Sequence, residues 1–95
     1  MKVEFRKSFV KDLKEISNQN LLKRLKITVE EIEQVESLAD IANLKKLKAA
    51  ANHFRLRIGE YRLGFVLERL GFVLEKERVI FVRFLHRKDI YKFFP

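Results

Sequence analysis

The sequence predicts an α+β domain, with a helical hairpin packed on one face of an antiparallel β-sheet. Over residues 9–37 apolar residues recur at spacings of three and four, and from His53 onward they alternate with polar residues. The predicted order of elements is therefore β-α-α-β-β-β. A chain of 95 residues with 47% apolar residues, one Pro and three Gly can bury one core and has no segment typical of a linker, so residues 1–95 are expected to form a single domain.

The first half of the chain is predicted to contain one strand and two helices. Val3 and Phe5 alternate with polar residues, which indicates a short strand. The second helix is predicted to end near Ser37, and residues 38–52 are ambiguous between a helical turn and a packed loop. The two helices are separated by the polar stretch 17–20, and their apolar positions are Phe9, Leu13 and Ile16 in the first and Leu21, Leu22, Leu25, Val29 and Ile32 in the second.

The second half is predicted to contain three strands. Residues 54–58 read FRLRI, an alternation typical of a half-buried strand whose other face carries two arginines. Gly59-Glu60 suits a two-residue hairpin turn, since Gly at the first central position favours type II′. The next strand begins at Tyr61, and the last one covers residues 79–85.

Residues 62–75 contain one seven-residue phrase twice. Residues 62–68 (copy one) and 69–75 (copy two) both read RLGFVLE. Because seven is odd and side chains alternate along a strand, one regular strand cannot bury the Leu and Phe side chains of both copies. Three arrangements would resolve this conflict: a β-bulge that restores the parity, one copy leaving the sheet as a loop, or pairing with a second molecule.

Each copy can be assigned to a sheet position by its neighbours in the chain. Copy one directly follows the Gly59 turn and is predicted to pair with residues 54–58. Copy two directly precedes a possible turn at 75–78, which would place Leu74 opposite Val79. Since both copies compete for one position, we predict a strand-swapped or edge-paired homodimer rather than a monomer with one copy as a loop. In the swapped form, copy two and residues 79–85 complete the sheet of the partner.

Charge and residue types restrict the possible functions. The 21 Lys and Arg against 13 Asp and Glu give a net charge of +8, and a basic surface of this kind attracts polyanions, nucleic acid first. The absence of Cys excludes thiol nucleophiles and thiolate metal sites, and two His without an acidic cluster predict no metal centre and no other cofactor. The sequence has no apolar run of the ~18 residues that a membrane span needs and no apolar targeting segment at its start, so we expect a soluble, cytoplasmic protein.

Four stretches carry a resemblance to a known family. The hairpin FRLRIGEYRLGF and the end FLHRKDIYK, read with one copy left out, are similar to the sheet of the RelE/ParE superfamily, the toxins of type II toxin–antitoxin systems. KSFVKDLKEI and LKKLK resemble the first helix of that family and its segment before the sheet. The resemblance covers the whole chain apart from the additional seven residues, and it implies a cognate antitoxin as a partner.

The resemblance implies one of three functions. RelE-like members of the superfamily cleave messenger RNA in the ribosomal A site, whereas ParE-like members poison DNA gyrase. A metal-independent, ribosome-dependent endoribonuclease, with mRNA and the ribosome as partners, is therefore the first expectation, and the additional copy could weaken it. A gyrase poison and an inactive antitoxin-binding module stay open as alternatives.

The candidate catalytic residues are those that can stabilise phosphate charge or move a proton. Guanidinium groups match phosphate in a bidentate way, and imidazole titrates near neutrality. Tyr91 resembles the C-terminal catalytic tyrosine of the family and could orient the nucleophile or stack a base. The predicted catalytic set is Arg57, Arg62, Arg83, His86, Arg87 and Tyr91, and the predicted RNA contacts are Lys45, Lys46, Lys48 and Arg55.

These residues also have structural interpretations. Strand arginines and loop lysines are most often solvated, His86 could simply end a strand, and Tyr91 could belong to an apolar C-terminal segment. Arg62 resembles the catalytic arginine of the family, but Arg69 occupies the same place in copy two. By parity only one of the two faces the cleft in a regular strand, and Arg62, which follows Tyr61, is the predicted one.

Overall fold

In the described part of the chain, residues 1–69, 71 and 77–95 of a computed structural model, five strands form one sheet with α-helices on both faces. In these residues no helix is long and apolar enough to cross a membrane, and no three His, Asp or Glu side chains form a group that could hold a metal ion. The α-helices and strands in chain order are β1 Lys2–Phe5, α1 Lys7–Lys14, α2 Gln19–Gln34, β2 Leu44–Lys46, β3 His53–Ile58, β4 Tyr61–Arg69, β5 Glu77–His86 and α3 Arg87–Phe93, and a short 3-10 helix covers Leu38–Asp40.

The sheet has the order β1-β5-β4-β3-β2, and the predicted α+β fold is confirmed. Two elements were not predicted: β2 lies in the ambiguous stretch 38–52, and α3 follows the last strand. One prediction needs correction, because β1 runs parallel to β5, with Val3 beside Val79, so the sheet is mixed rather than antiparallel. Alternating side chains identify a strand but not its direction, which is set by the partner beside which it packs.

The hairpin of α1 and α2 packs on one face of the sheet, as predicted. Phe9 of α1 and Leu25 and Ile32 of α2, which stand at helical spacings, are buried against the central strands. Asn18 starts α2, since its side-chain oxygen accepts a hydrogen bond from the N–H of Leu21 at 3.1 Å. The buried sheet side chains of this face are Leu56, Ile58, Leu63, Phe65, Val79, Phe81 and Phe84, and we call it the core face.

Helix α3 packs on the opposite face. Ile90 and Phe94 are buried there, and the Phe94 ring lies directly on Gly64. A Cβ atom at position 64 would lie 2.7 Å from Cδ2 of this ring, so the close approach requires a glycine. This contact fixes α3 against β4 and β5 and thereby holds its exposed side chains beside the sheet.

Copy one fills β4 and pairs with both neighbouring strands. The predicted pairing with residues 54–58 is confirmed. On the other side Leu67 occupies the position opposite Val79 that was predicted for Leu74. A two-residue turn joins β3 to copy one. Because copy one lies inside the sheet, its other edge forms hydrogen bonds with β5.

The structure describes only two residues of copy two. Arg69 ends β4 opposite Glu77, and Gly71 lies in a turn with a φ of +66°. Residues 70 and 72–76, including Leu74, lie outside the described residues. A β-bulge is present, but at Val82 in β5. Strands β3, β4 and β5 pair within one chain, so their pairing does not require a second molecule, and the homodimer stays a prediction.

Candidate functional site

Four cations on β2, β3 and β4 lie together on the face of the sheet opposite the core face. The apolar residues of β3 after Phe54 are buried in the core, so Arg55 and Arg57 lie on the other side of the strand. Arg57 is directly opposite Arg62 of β4, and Arg55 is directly opposite Lys45 of β2. We call Lys45, Arg55, Arg57 and Arg62 the arginine face.

Like charges directly opposite each other destabilise a pair of strands. Within the described residues, none of the four cations of the arginine face forms an ion pair, whereas Arg78 of β5 contacts both Glu4 and Glu68. A polyanion bound between Arg57 and Arg62 would relieve their repulsion, and guanidinium groups match phosphate oxygens in geometry. The arginine face therefore has the charge of a phosphate-binding surface.

Tyr91 of α3 lies beside this surface, over Arg55. Tyr91 is 65% exposed, and the guanidinium carbon of Arg55 lies 4.5 Å from the centroid of its ring, a cation–π contact. An exposed aromatic ring can stack a nucleic-acid base, and the cations beside it can bind the phosphate of the same nucleotide. The two side chains border a groove of about 440 Å³, called the Tyr91 groove, which is also lined by Lys45, Leu47, Lys48, Ala49, Phe94 and Pro95.

Arg62 is partly engaged by its own hairpin. Its Nη1 donates hydrogen bonds to the backbone oxygens of Gly59 and Tyr61, both at 2.9 Å. A guanidinium group has five N–H donors, so the other nitrogens remain for a ligand. The hairpin carbonyls thus hold Arg62 in place opposite Arg57.

His86 does not join the arginine face. It is the cross-strand partner of Tyr61, and the two rings contact each other edge-on at 5.6 Å. Tyr61 packs on Phe84 of the core, so the alternation along the strands places His86 on the side away from Arg57 and Arg62. Its Nδ1 accepts a hydrogen bond from the first turn of α3 at 3.1 Å, which is the role of a helix N-cap.

Arg87 and Lys46 are also separate from the arginine face. Arg87 joins α3 to the β3–β4 hairpin, since its N–H donates to the backbone oxygen of Glu60 at 2.8 Å and its Nε lies 2.9 Å from the Glu60 carboxylate. Lys46 is opposite Phe54, whose ring stacks on Phe65 of the core face, so it lies on the other side of β2 from Lys45.

Arg83 has a buried acidic partner that the sequence interpretation missed. Its Nε and Nη2 donate to the two carboxylate oxygens of Asp12 at 2.8 and 2.9 Å, and the N–H of Phe84 donates to the same carboxylate at 3.0 Å. The hydrogen bonds to Asp12 raise the pKa of Arg83, although burial lowers it. A signal was present, because Asp12 stands three residues after Phe9 and four before Ile16, on the apolar stripe of its helix.

The structure thus separates the predicted site residues into two groups. Arg83 and Arg87 form ion pairs with Asp12 and Glu60, His86 caps α3, and Lys46 lies on the other side of its strand. The residues that the fold brings together on the arginine face and along the Tyr91 groove are Lys45, Lys48, Arg55, Arg57, Arg62 and Tyr91.

A second concave surface lies on the other side of the molecule, between β1, α1 and α2. Phe5, which is 52% exposed, stacks on Phe9 and Phe81 with ring centroids 5.6 Å apart in each case. The surface encloses about 390 Å³ and is called the apolar groove; it is lined by Phe5, Phe9, Leu13, Leu22, Leu25, Lys26, Val29, Glu30 and Glu33.

Known proteins match this chain over nearly its whole length. The model of a family described as the ParE toxin of the type II toxin–antitoxin system parDE matches residues 3–91. Toxin RelE3 of Methanocaldococcus jannaschii is 42% identical over 96 aligned residues, which cover 100% of both chains.

Two solved structures show the same fold. A chain of the RelB–RelE antitoxin–toxin complex from Methanococcus jannaschii matches with a TM-score of 0.75 and 38% identity, covering 97% of this chain and 99% of that one. A chain of the toxin–antitoxin complex RelBE2 from Mycobacterium tuberculosis matches with a TM-score of 0.59 and 25% identity, covering 90% and 96%. Each relative is therefore similar over the sheet that carries the arginine face.

Proposed function

Because the chain belongs to the ParE toxin family and is a RelE-like toxin of a type II toxin–antitoxin system, we propose that it is an endoribonuclease that cleaves messenger RNA on the ribosome. The observation that carries this proposal is the combination of Arg57 opposite Arg62 with the exposed ring of Tyr91 over Arg55. Cations without ion-pair partners in the described residues, next to an exposed aromatic ring, fit a substrate with a phosphate beside a base.

RNA can be cleaved by its own 2′-hydroxyl group. The 2′-oxygen attacks the adjacent phosphorus and loses its proton, the bond from phosphorus to the 5′-oxygen breaks, and the leaving oxygen gains a proton. In the proposed site Arg57 and Arg62 stabilise the negative charge on the phosphate in the transition state. Tyr91 stacks a base or orients the 2′-hydroxyl, and Lys45 and Lys48 hold neighbouring phosphates.

The proposal is tested with variants of the arginine face and a matched cation outside it. Arg57→Gln and Tyr91→Ala should each reduce cleavage of mRNA in a reconstituted translation reaction, the former by about 10²–10³, which is typical for loss of one group that stabilises transition-state charge. Lys46→Gln is the control, because Lys46 is exposed on the same edge of the sheet but lies on its other side. Full cleavage by both Arg57→Gln and Tyr91→Ala would contradict the proposal.

The same assay separates the alternatives. A DNA gyrase poison would leave mRNA intact and would trap covalent gyrase–DNA complexes when gyrase and DNA are added. An inactive antitoxin-binding module would do neither. Cuts in mRNA that require ribosomes are the expected result.

We also propose that an amphipathic segment of a cognate antitoxin binds the apolar groove. This is supported by the half-exposed ring of Phe5 and by the matching structures, which are described as antitoxin–toxin complexes. Glu30 and Glu33 line the groove beside one cation, Lys26, so the segment should carry a basic residue next to its apolar ones.

Antitoxin binding is tested by replacing exposed apolar residues inside and outside the groove. Phe5→Ser should weaken the complex at least about tenfold, since a buried aromatic side chain is among the strongest contacts of an interface. Ile27→Ser is the matched control, because Ile27 is 56% exposed on α2 but does not line the apolar groove. Equal affinities of the two variants in titration calorimetry would place the antitoxin elsewhere.

A further inference from the structure

The contacts of copy one define what any strand in the β4 position must provide. Leu63 and Phe65 are fully buried, Gly64 lies under the ring of Phe94, and Glu68 contacts Arg78 at 2.8 Å. Copy two repeats the same seven residues in the same order. If the chain moved by seven residues, each of these positions would receive an identical side chain.

A shift of seven residues would also preserve the lengths of the two connections. Ile58 now faces Tyr61 with two residues between them, and Glu68 faces Arg78 with nine between them. After the shift, Ile58 would face Glu68 with nine residues between them, and Glu75 would face Arg78 with two. The hairpins exchange their loop lengths, so the entropy of loop closure is nearly the same in both registers.

We propose that copy two is an alternative β4, which replaces copy one through a register shift of seven residues. The shift places Arg69 opposite Arg57, in the position that Arg62 occupies in this structure. Arg69 is thereby a second residue able to contact the phosphate of the substrate. The role of Arg69 rests on the proposed function, whereas the strand replacement does not.

Two sets of contacts make copy one the preferred strand. The ring of Tyr61 packs on Phe84 with the centroids 5.1 Å apart, and the shift would put Glu68 in this place. The hydrogen bond and the ion pair between Glu60 and Arg87 require the present β3–β4 hairpin. After the shift, the turn between β4 and β5 would consist of Lys76 and Glu77, and it would lack the Gly, Asn or Asp that tight hairpins favour. Copy two is therefore the minor register unless copy one is impaired.

The replacement is tested by placing a charge where the core cannot accept it. The ring of Phe65 lies 5.5 Å from that of Phe54 and 5.9 Å from that of Phe81, so an aspartate at position 65 would be buried without a partner. Phe65→Asp and Phe72→Asp should each leave a folded protein with cooperative thermal unfolding, because the other copy supplies β4. Phe65→Asp/Phe72→Asp should be unfolded, and so should Phe81→Asp, whose strand has no duplicate.

Two outcomes would overturn the proposal. An unfolded Phe65→Asp protein beside a folded Phe72→Asp protein would show that copy two cannot replace copy one. A folded Phe65→Asp/Phe72→Asp protein would show that the core tolerates aspartate, so that no strand replacement is needed.

Limited proteolysis with trypsin identifies the register directly. In the wild type, Arg62 is protected inside β4, whereas Arg69 at its end has a side chain that is 68% exposed. In the Phe65→Asp protein, cleavage after Arg62 should appear and cleavage after Arg69 should disappear. A folded Phe65→Asp protein that is still cut after Arg69 and not after Arg62 would overturn the proposal.

A last variant separates the strand replacement from the function of Arg69. In the Phe65→Asp background, Arg69→Ala should reduce mRNA cleavage at least about tenfold, as expected when a guanidinium group that stabilises transition-state charge is removed. If trypsin shows the shifted register but Arg69→Ala has no effect on cleavage, the replacement stands and the role assigned to Arg69 is wrong.

Discussion

Replacing Asp12 by alanine should destabilise the protein more than any exposed acidic substitution. The carboxylate of Asp12 accepts two hydrogen bonds from Arg83 and one from the N–H of Phe84, and only 7% of its side chain is exposed. Breaking a fully buried ion pair by removing one partner costs about 3–5 kcal/mol. Since 25% of the Arg83 side chain is exposed and water can reach the freed guanidinium, we expect the lower end, about 3 kcal/mol.

The measurement is thermal unfolding followed by circular dichroism. For a domain of this size a loss of about 3 kcal/mol lowers Tm by roughly 12–24 °C. Asp12→Asn should be intermediate, because its amide oxygen still accepts from Phe84 but carries no charge. Glu31→Ala, an exposed acid on α2, is the control and should change Tm little. A Tm of Asp12→Ala equal to that of Glu31→Ala would refute the reasoning.

Three further predictions concern the arginine face, α3 and the oligomeric state. Arg57→Gln should reduce the slope of log affinity for single-stranded RNA against log salt by about 0.7, because one phosphate contact is lost, and an unchanged slope in a filter-binding series would argue against that contact. Gly64→Ala should destabilise the protein by roughly 1–3 kcal/mol in urea denaturation, since the new Cβ would lie 2.7 Å from the ring of Phe94. Phe94→Leu in the same chain should recover part of that loss, and no recovery would place the strain elsewhere. Light scattering tests the predicted homodimer, which should have about twice the 11.4 kDa mass of one chain and return to the monomer value on deletion of residues 62–68. A mass near 11.4 kDa at all concentrations would reject the homodimer and would agree with the pairing of β3, β4 and β5 within one chain.

The local periods of the sequence determined most of the secondary structure. The helical spacing of Phe9, Leu25 and Ile32 and the alternation in β3 each depend on one face being buried, so the pattern is visible without the fold. The same alternation is sufficient to place Arg55 and Arg57 together on one face of the strand. Tyr91 was predicted only through the resemblance to the RelE/ParE superfamily, because the periodicity of apolar residues does not indicate its role.

Only the tertiary structure decided which residues meet across different elements. Asp12 contacts Arg83, which lies 71 residues away in the chain, and Gly64 is required by Phe94, a residue of another element. His86 looked suited to the site from its residue type, but its position opposite Tyr61 puts it on the core face.

The choice between the two copies of RLGFVLE shows the limit of the sequence most clearly. Identical residues have identical local preferences, so nothing inside either copy distinguishes them. The difference lies in contacts outside the repeat: Tyr61, directly before copy one, packs on Phe84, and Glu60 pairs with Arg87. Secondary structure follows from the pattern of neighbouring residues, whereas the register of a strand follows from the partners that the rest of the chain brings to it, and these exist only in the folded molecule.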